Sequence, residues 1–166
     1  NELTIKAQRL MDDLVDLEME AVDKIIEKIK FDPESDDVKL IELNLWNSIR
    51  KAASNARRTG LGITALGDTL AMLGIKYGSE LSIDTTGEIY KNLSLYAYRS
   101  SVTLAKERGA FPAYDYELEK DHPFINKVMK LDDELKEDWK KYGRRNIALT
   151  TTAPAGSVST LTQTTS

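Results

Sequence analysis

The stretch Arg144–Leu161, RRNIALTTTAPAGSVSTL, decides the fold because it changes the character of an otherwise helical sequence. Residues 146–153, NIALTTTA, predict a strand of the fully buried kind, since the run is short and apolar with threonine near its end. One strand cannot form a sheet, so its partner strands are either absent or supplied by another chain. Because exposed strand edges recruit other chains, we expect either a disordered C-terminal segment or pairing between copies.

The residues after this strand favour an anion site. Pro154 fixes its φ angle and removes a donor, while the small side chains of Ala155 and Gly156 leave the backbone N–H groups open. Ser157 adds a hydroxyl, and Val158 falls in a segment that can start a helix. A strand, a glycine-containing turn and a helix N-terminus together suit an anion. An ordinary strand-to-helix turn remains the alternative at this point.

The sequence before Arg144 predicts helices separated by short breaks. Residues 4–30 form a long amphipathic pattern, with apolar residues at spacings near three and four. That face is Ile5, Leu10, Leu14, Leu17, Val22, Ile25 and Ile29. Further helices are expected over 37–57, from Thr64 to about residue 74, over 83–108, after His122-Pro123, and over 132–142 with Gly143 as the stop. Within the second, the expected buried side is Leu40, Ile41, Leu45, Ile49, Ala52 and Ala56.

Composition limits the class of protein. The 166 residues suit one domain, and a hydrophobic fraction of 41% can fill a core. A net charge of −4 argues against nucleic-acid binding, which needs a concentrated basic surface. The absence of a spanning apolar run and of a signal peptide makes a cytoplasmic location the default. The sequence has no cysteine, which excludes disulfides, thiolate metal sites and thiol catalysis within it.

The acidic residues of the first helix are expected to form a solvated face. These residues are Asp12, Asp13, Asp16, Glu18 and Glu20. A helical di-iron site needs Glu-x-x-His motifs, and the sequence contains one histidine, His122, beside a proline. We therefore expect no metal site, and we interpret His122 as a helix-start or surface residue. A helical-bundle metalloprotein remains a minor alternative.

Glycines cluster in residues 60–74, GLGITALGDTLAMLG, without the spacing of a dinucleotide fingerprint. They are interpreted as turn and close-packing positions. Gly67 lies within a helical pattern, where glycine costs about 1 kcal/mol relative to alanine. A close helix approach would explain why that cost is tolerated.

Three stretches resemble the catalytic subunit of ribonucleotide reductases. The first is residues 55–80, NARRTGLGITALGDTLAMLGIKYGSE, the second is residues 101–114, SVTLAKERGAFPAY, and the third is residues 144–161. They occur in the family's order and spacing, and the resemblance covers most of the chain from about Leu43 onward. The Ala-Pro-x-Gly form is most similar to the adenosylcobalamin-dependent branch.

This resemblance implies a fold and an activity. Such enzymes convert ribonucleotides to deoxyribonucleotides, for DNA replication, by thiyl-radical chemistry inside a ten-stranded α/β barrel. The implied fold class is mainly α: a helical segment of that barrel with one C-terminal strand and a phosphate-binding turn. The substrate phosphates are expected at Pro154, Ala155, Gly156, Ser157 and Val158. The family often has threonine at position 155, so Ala155 removes any hydroxyl contact there.

The resemblance also implies what this chain lacks. The family's radical cysteine, reducing cysteine pair and assisting Asn and Glu belong to segments outside the matched stretches, so no catalytic residue is expected here. We expect residues 1–166 to be a single internal fragment, inactive alone, whose partners are a ribonucleotide and the remainder of the barrel. Within it we expect a long helix over 1–30, helical hairpins over 37–108, a loop and short helices over 109–145, and the barrel strand and phosphate turn over 146–166. Adenosylcobalamin is the expected cofactor of the parent enzyme, with none bound to this chain. A stand-alone helical scaffold is the alternative function.

Overall fold

The structure, a computed structural model, describes all residues from 1 to 166 and is mainly helical, as predicted. Eight helices succeed one another along the chain. They are α1 Glu2–Phe31, α2 Asp36–Ala56, α3 Leu66–Met72, α4 Glu80–Arg108, α5 Tyr116–Glu119, α6 Pro123–Met129, α7 Asp133–Tyr142 and α8 Gly156–Thr162. Helix α1 packs against both α2 and α4, and α4 also packs against α6 and α7.

Two short helices begin and end where local sequence signals place them. His122 caps α6, its Nδ1 accepting the N–H of Ile125 at 3.5 Å, and Pro123 opens the helix. Asp132 caps α7 by accepting the N–H of Leu135 at 3.0 Å, and Gly143 follows the last turn at φ 72°. The interpretation of His122 as a helix-start residue is therefore confirmed.

The principal core joins α4, α6 and α7 to the segment that follows α7. Trp139 is 1% exposed, and its indole N–H donates to Glu119 at 2.8 Å. Nine buried residues make up this core, namely Ala97, Tyr98, Val102, Ile125, Val128, Met129, Leu135, Trp139 and Leu149. Because Leu149 belongs to this core, the segment leading toward residue 154 is fixed to the helices by apolar packing.

The buried face of α1 agrees with the predicted apolar face at Val22 and Ile29 but differs from it toward the N-terminus. Leu10, Leu14 and Leu17 are 60%, 46% and 57% exposed. The residues that α1 buries are Gln8, Asp12, Val15, Val22, Ile26 and Ile29. They keep helical spacing, but the buried face is rotated because it includes two polar side chains that bond to other elements. On α2 no residue is buried, and Leu40, Ile41 and Leu45, expected inside, are exposed.

The expected C-terminal strand over 146–153 is not formed, and the structure contains no β-strand. One isolated parallel bridge joins Leu61 to Thr150. The segment is extended but not buried on both sides, since Ile147 is 36% exposed and Leu149 is 2% exposed. A ladder needs a partner along its length, and the facing loop around Leu61 supplies one for only a few residues.

Candidate phosphate-binding turn

Helix α8 begins with open backbone donors. Its N-cap is Ala155, which has no side-chain capping group, and its first backbone hydrogen bond runs from Ser159 N–H to Ala155 O at 2.7 Å. The N–H groups of Gly156, Ser157 and Val158 have no acceptor within the chain. Free N–H groups at a helix start are the donors that proteins use to bind phosphate and carboxylate groups.

The space beside this helix start is also open. A Cβ atom placed on Gly156 would meet no atom within 4 Å. A cleft of about 220 Å³ lies between the turn and the loop that follows α2. The cleft is lined by Gly60, Gly62, Ile63, Thr64, Thr151, Ala153, Pro154, Ala155 and Val158. Of the five predicted site residues, the structure therefore brings Pro154, Ala155 and Val158 to this cleft.

The loop after α2 holds the extended segment by backbone hydrogen bonds. Thr59 N–H donates to Ala148 O at 3.0 Å, and Leu61 N–H donates to Leu149 O at 2.8 Å. Thr151 N–H returns a bond to Leu61 O at 2.9 Å. These bonds set the register between the loop and the residues that lead to α8.

Glycine allows the loop and the segment to approach so closely. A Cβ on Gly62 would lie 2.6 Å from the backbone oxygen of Thr151, and one on Gly60 would lie 3.1 Å from its Cγ2. The close-packing interpretation is thus confirmed at both positions. Gly67 also faces a close neighbour, Thr165 Oγ1 at 3.3 Å, but this neighbour belongs to the C-terminal tail rather than to another helix.

A buried polar network anchors the start of the same segment. Asp12 is fully buried and accepts hydrogen bonds from Arg57 Nε at 2.9 Å and from Asn146 Nδ2 at 2.8 Å. Arg57, at φ 45° and ψ 52°, ends α2 in the left-handed region. Asn146 Nδ2 also donates to Arg57 O at 3.1 Å, so one amide group links α1, the end of α2 and the extended segment.

The remaining atoms of Asn146 are paired as well. Its Oδ1 accepts from Ser101 Oγ at 2.9 Å and from Gln8 Nε2 at 3.2 Å. Gln8 Nε2 also donates to Thr59 Oγ1 at 3.0 Å, which brings the loop after α2 into the network. Within this network Gln8 Oε1 is buried without a hydrogen-bond partner, whereas the polar atoms of the Asn146 side chain are paired. Buried polar groups paired in this way specify one arrangement of the elements they join.

Burial and charge act in opposite directions on Asp12. Removal from water raises the pKa of this carboxyl, but the hydrogen bonds from Arg57 and Asn146 and the charges of Arg57 and Arg145 outweigh burial, so the pKa is lowered overall. The prediction of a solvated acidic face is therefore wrong at Asp12. It holds at Glu18 and Glu20, which are exposed.

The carboxylates of Asp12, Asp13 and Asp16 lie together, with one oxygen of each within 4.8 Å of the others. Each of these three carboxylates accepts a hydrogen bond from an arginine. Arg57 Nη1 donates to Asp16 at 2.7 Å, and Arg108 Nη1 donates to Asp13 at 2.6 Å. The cluster is thus charge-balanced by the chain's own side chains.

A second buried ion pair lies at the end of α7. Arg144 is 1% exposed and forms a bidentate ion pair with Glu119. Its Nε donates to Oε1 at 2.8 Å, and its Nη2 donates to Oε2. Its Nη1 donates to the carbonyl oxygens of Asn146 and Ile147 at 2.9 and 3.3 Å. Arg144 and Asn146, two residues apart, therefore both fix the start of the extended segment. The sequence offered no signal for either role beyond the presence of polar residues beside an apolar run.

The fold and this turn define a helical unit in which the N-terminus of α8 follows an extended segment that the other helices hold in place. Residues 7–166 match the family of the ribonucleotide reductase barrel domain. The chain belongs to this family.

Named relatives share part of their length with the chain. It is 31% identical over 131 residues to the vitamin B12-dependent ribonucleoside-diphosphate reductase of Mycobacterium tuberculosis, covering 78% of this chain and 16% of that protein. It is 28% identical over 113 residues to the enzyme of the same name from Thermoplasma acidophilum, covering 67% and 12%. It is 28% identical over 144 residues to the ribonucleoside-diphosphate reductase subunit alpha of Chlamydia pneumoniae, covering 74% and 14%. The chain thus spans about one sixth or less of the length of these relatives.

No helix of the chain combines the length and the apolar composition needed to cross a membrane.

Proposed function

We propose that this chain acts as part of a ribonucleotide reductase catalytic subunit and supplies part of its substrate phosphate site. The family match and the diphosphate reductases among the relatives support this function over a stand-alone scaffold. The chain contributes binding groups rather than thiols, since it contains no cysteine. Its segment 146–166 contributes to the barrel domain of the complete subunit, and the barrel strands are supplied by residues outside 1–166.

The observation that carries the proposal is the uncapped start of α8. Three consecutive N–H groups, those of Gly156, Ser157 and Val158, lack an acceptor, and the first residue has free space above its Cα. A phosphate group supplies the missing acceptors, and the helix end stabilises its negative charge by about 0.3–1 kcal/mol per exposed charge. Ala155 supplies no hydroxyl, so the contacts at this position come from the backbone.

The names of two relatives imply adenosylcobalamin as the cofactor of the complete enzyme, where it supplies the radical. The one histidine of this chain, His122, already uses Nδ1 to accept the N–H of Ile125 and caps α6. We propose that the cobalamin site of the complete enzyme lies outside residues 1–166.

The proposal is tested by placing a negative charge at the helix start. Gly156→Asp brings a carboxylate against the phosphates, while Gly156→Asn adds a side chain of the same size without the charge. An acidic residue in the first turn favours the helix itself, so α8 should persist in the Asp variant. Two unit charges 4 Å apart repel by about 1 kcal/mol in water and by more near a protein surface. We therefore expect at least a fivefold weaker affinity for Gly156→Asp than for Gly156→Asn.

The measurement is a titration of the ¹⁵N-labelled chain with ADP, followed through the amide signals of residues 156–158. Saturable shifts confined to these residues and their neighbours in the cleft support the proposal. Equal affinities of the Asp and Asn variants, or shifts that avoid the helix start, would refute it. In the complete enzyme the same pair of variants should separate in KM for the nucleotide.

A further inference from the structure

The short helix α8 is held mainly by hydrogen bonds rather than by apolar packing. It has seven residues, and Ser159 is the only one that is buried. Leu161 and Val158 are 85% and 52% exposed. The position of α8 must therefore depend on the segments attached to its two ends.

The end that follows α8 is fastened to the start of α3 through Thr165. The carbonyl oxygen of Thr165 accepts from Thr64 Oγ1 at 2.9 Å and from Ala65 N–H at 3.1 Å. Its N–H donates to Asp68 Oδ2 at 2.7 Å, and its Oγ1 accepts the N–H of Asp68 at 3.4 Å. Asp68 and Thr165 thus bond to each other in both directions although 97 residues separate them.

Both attachments of α8 lead to one loop. The segment before α8 pairs with Leu61, and the tail after α8 bonds to Thr64 and Ala65, three and four residues further along. Asp68 adds the one charged acceptor to this second attachment. A hydrogen bond to a charged group is stronger than one between neutral groups. The bond to Asp68 follows the C-terminal end of α8, where Leu161 is 85% exposed.

We propose that Asp68 is a positioning residue for the phosphate-binding turn, acting through Thr165 on the far end of α8. The inference rests on the proposed function, because it assumes that the N–H groups of residues 156–158 bind phosphate. Asp68 itself does not touch the ligand. It holds α8 in place beside the cleft that Pro154, Ala155 and Val158 line, and its loss lowers the fraction of molecules competent to bind.

The test compares Asp68→Ala with the conservative variant Asp68→Asn, whose side-chain oxygen can still accept the N–H of Thr165. Asp84→Ala serves as a control, because Asp84 is an exposed carboxylate that forms no ion pair or side-chain hydrogen bond. ADP is titrated into each ¹⁵N-labelled chain while residues 156–158 are observed. Losing a hydrogen bond to a charged group corresponds to about a tenfold weaker affinity. We expect that loss for Asp68→Ala, recovery to within about twofold for Asp68→Asn, and no change for Asp84→Ala.

Urea unfolding of the same variants separates positioning from general stability. Because α8 is peripheral, Asp68→Ala should leave the midpoint of global unfolding unchanged. Wild-type affinity in Asp68→Ala, equal losses in the Ala and Asn variants, or a loss matched by lower global stability would overturn the positioning role alone. If the wild-type chain shows no ADP-dependent shift at residues 156–158, the proposed function fails and the positioning role fails with it.

Discussion

Replacing Asp12 with asparagine should destabilise the chain strongly, whereas the same replacement at Asp16 should not. Both carboxylates accept from Arg57, at 2.9 Å and 2.7 Å. They differ in burial, since the side chain of Asp12 is 0% exposed and that of Asp16 is 43% exposed. The pair is therefore a matched comparison of one interaction in two environments.

The magnitude follows from what the asparagine leaves unpaired. Asp12 Oδ1 accepts from Arg57 and Asn146, and Oδ2 accepts from Arg108 and Arg145. Asn at position 12 keeps one acceptor, and in either orientation its amide group points N–H donors at two other donors. Removing one partner of a buried ion pair costs about 3–5 kcal/mol. We expect about 3 kcal/mol, the lower end, because Arg108 and Asp16 are partly exposed and admit water to the network. The exposed pair at Asp16 contributes less than about 1 kcal/mol.

Urea unfolding followed by far-ultraviolet circular dichroism measures both variants. With a denaturant slope of about 2 kcal/mol per molar, Asp12→Asn should lower the midpoint by about 1.5 M. Equal losses of unfolding free energy for the two variants, or a loss below about 1 kcal/mol for Asp12→Asn, would refute the assignment of stability to the buried network.

The pH dependence gives an independent check on the same residue. The pKa of Asp12 is lowered in the folded chain, so the folded state binds the proton less tightly than the unfolded state does. The stability from the ionised carboxylate is therefore present above the unfolded pKa, about 3.8, and is lost as pH falls through the lower folded pKa. The difference in unfolding free energy between wild type and Asp12→Asn should be constant near neutral pH and shrink below about pH 3.8. A difference unchanged in acid would contradict the lowered pKa.

Glycine substitutions test the local geometry. Gly143→Ala and Gly109→Ala impose similar backbone strain at φ 72° and 87°, about 1–3 kcal/mol each, but only the former brings a Cβ to 2.6 Å from the Tyr114 ring. In thermal unfolding, Gly143→Ala should cost at least about 1 kcal/mol more, and equal costs would argue against that contact. Gly87→Ala, inside α4 with free space for a Cβ, should stabilise by about 0.5–1 kcal/mol, whereas Gly62→Ala should destabilise by about 1–3 kcal/mol. Denaturation midpoints that move in the same direction for Gly87→Ala and Gly62→Ala would contradict the close approach of Gly62 to Thr151.

Local signals in the sequence were sufficient for elements whose ends depend on neighbouring residues. Pro123 and Gly143 bound α6 and α7 because proline and glycine act on the backbone where they stand. The buried role of Asp12 could not be predicted in this way. Its partners Arg57 and Asn146 lie 45 and 134 residues away, and its neighbours in sequence are acidic residues typical of a surface.

The same contrast applies to the candidate site. The residue types of Pro154–Val158 predict an open helix start, and the structure shows one, because that property is local to the turn. Its attachments could not be predicted, since the contact between Asp68 and Thr165 depends on how α3 and α8 come together. The strand prediction failed for a related reason, because an extended segment becomes a strand only when a partner extends alongside it.

The exposed leucines of α1 and α2 connect the structure with the proposal for the whole enzyme. Leu10, Leu14 and Leu17 follow helical spacing yet remain about half exposed, while Asp12, between them in sequence, is buried. The helical spacing of apolar residues predicts which side chains are buried. Contacts within residues 1–166 bury only some of these side chains. Under the proposed function these leucines pack against the remainder of the catalytic subunit, as exposed apolar patches of this kind mark interaction sites. The buried polar network then has a distinct part: it fixes the helices to the segment before the phosphate turn without help from the remainder of the subunit.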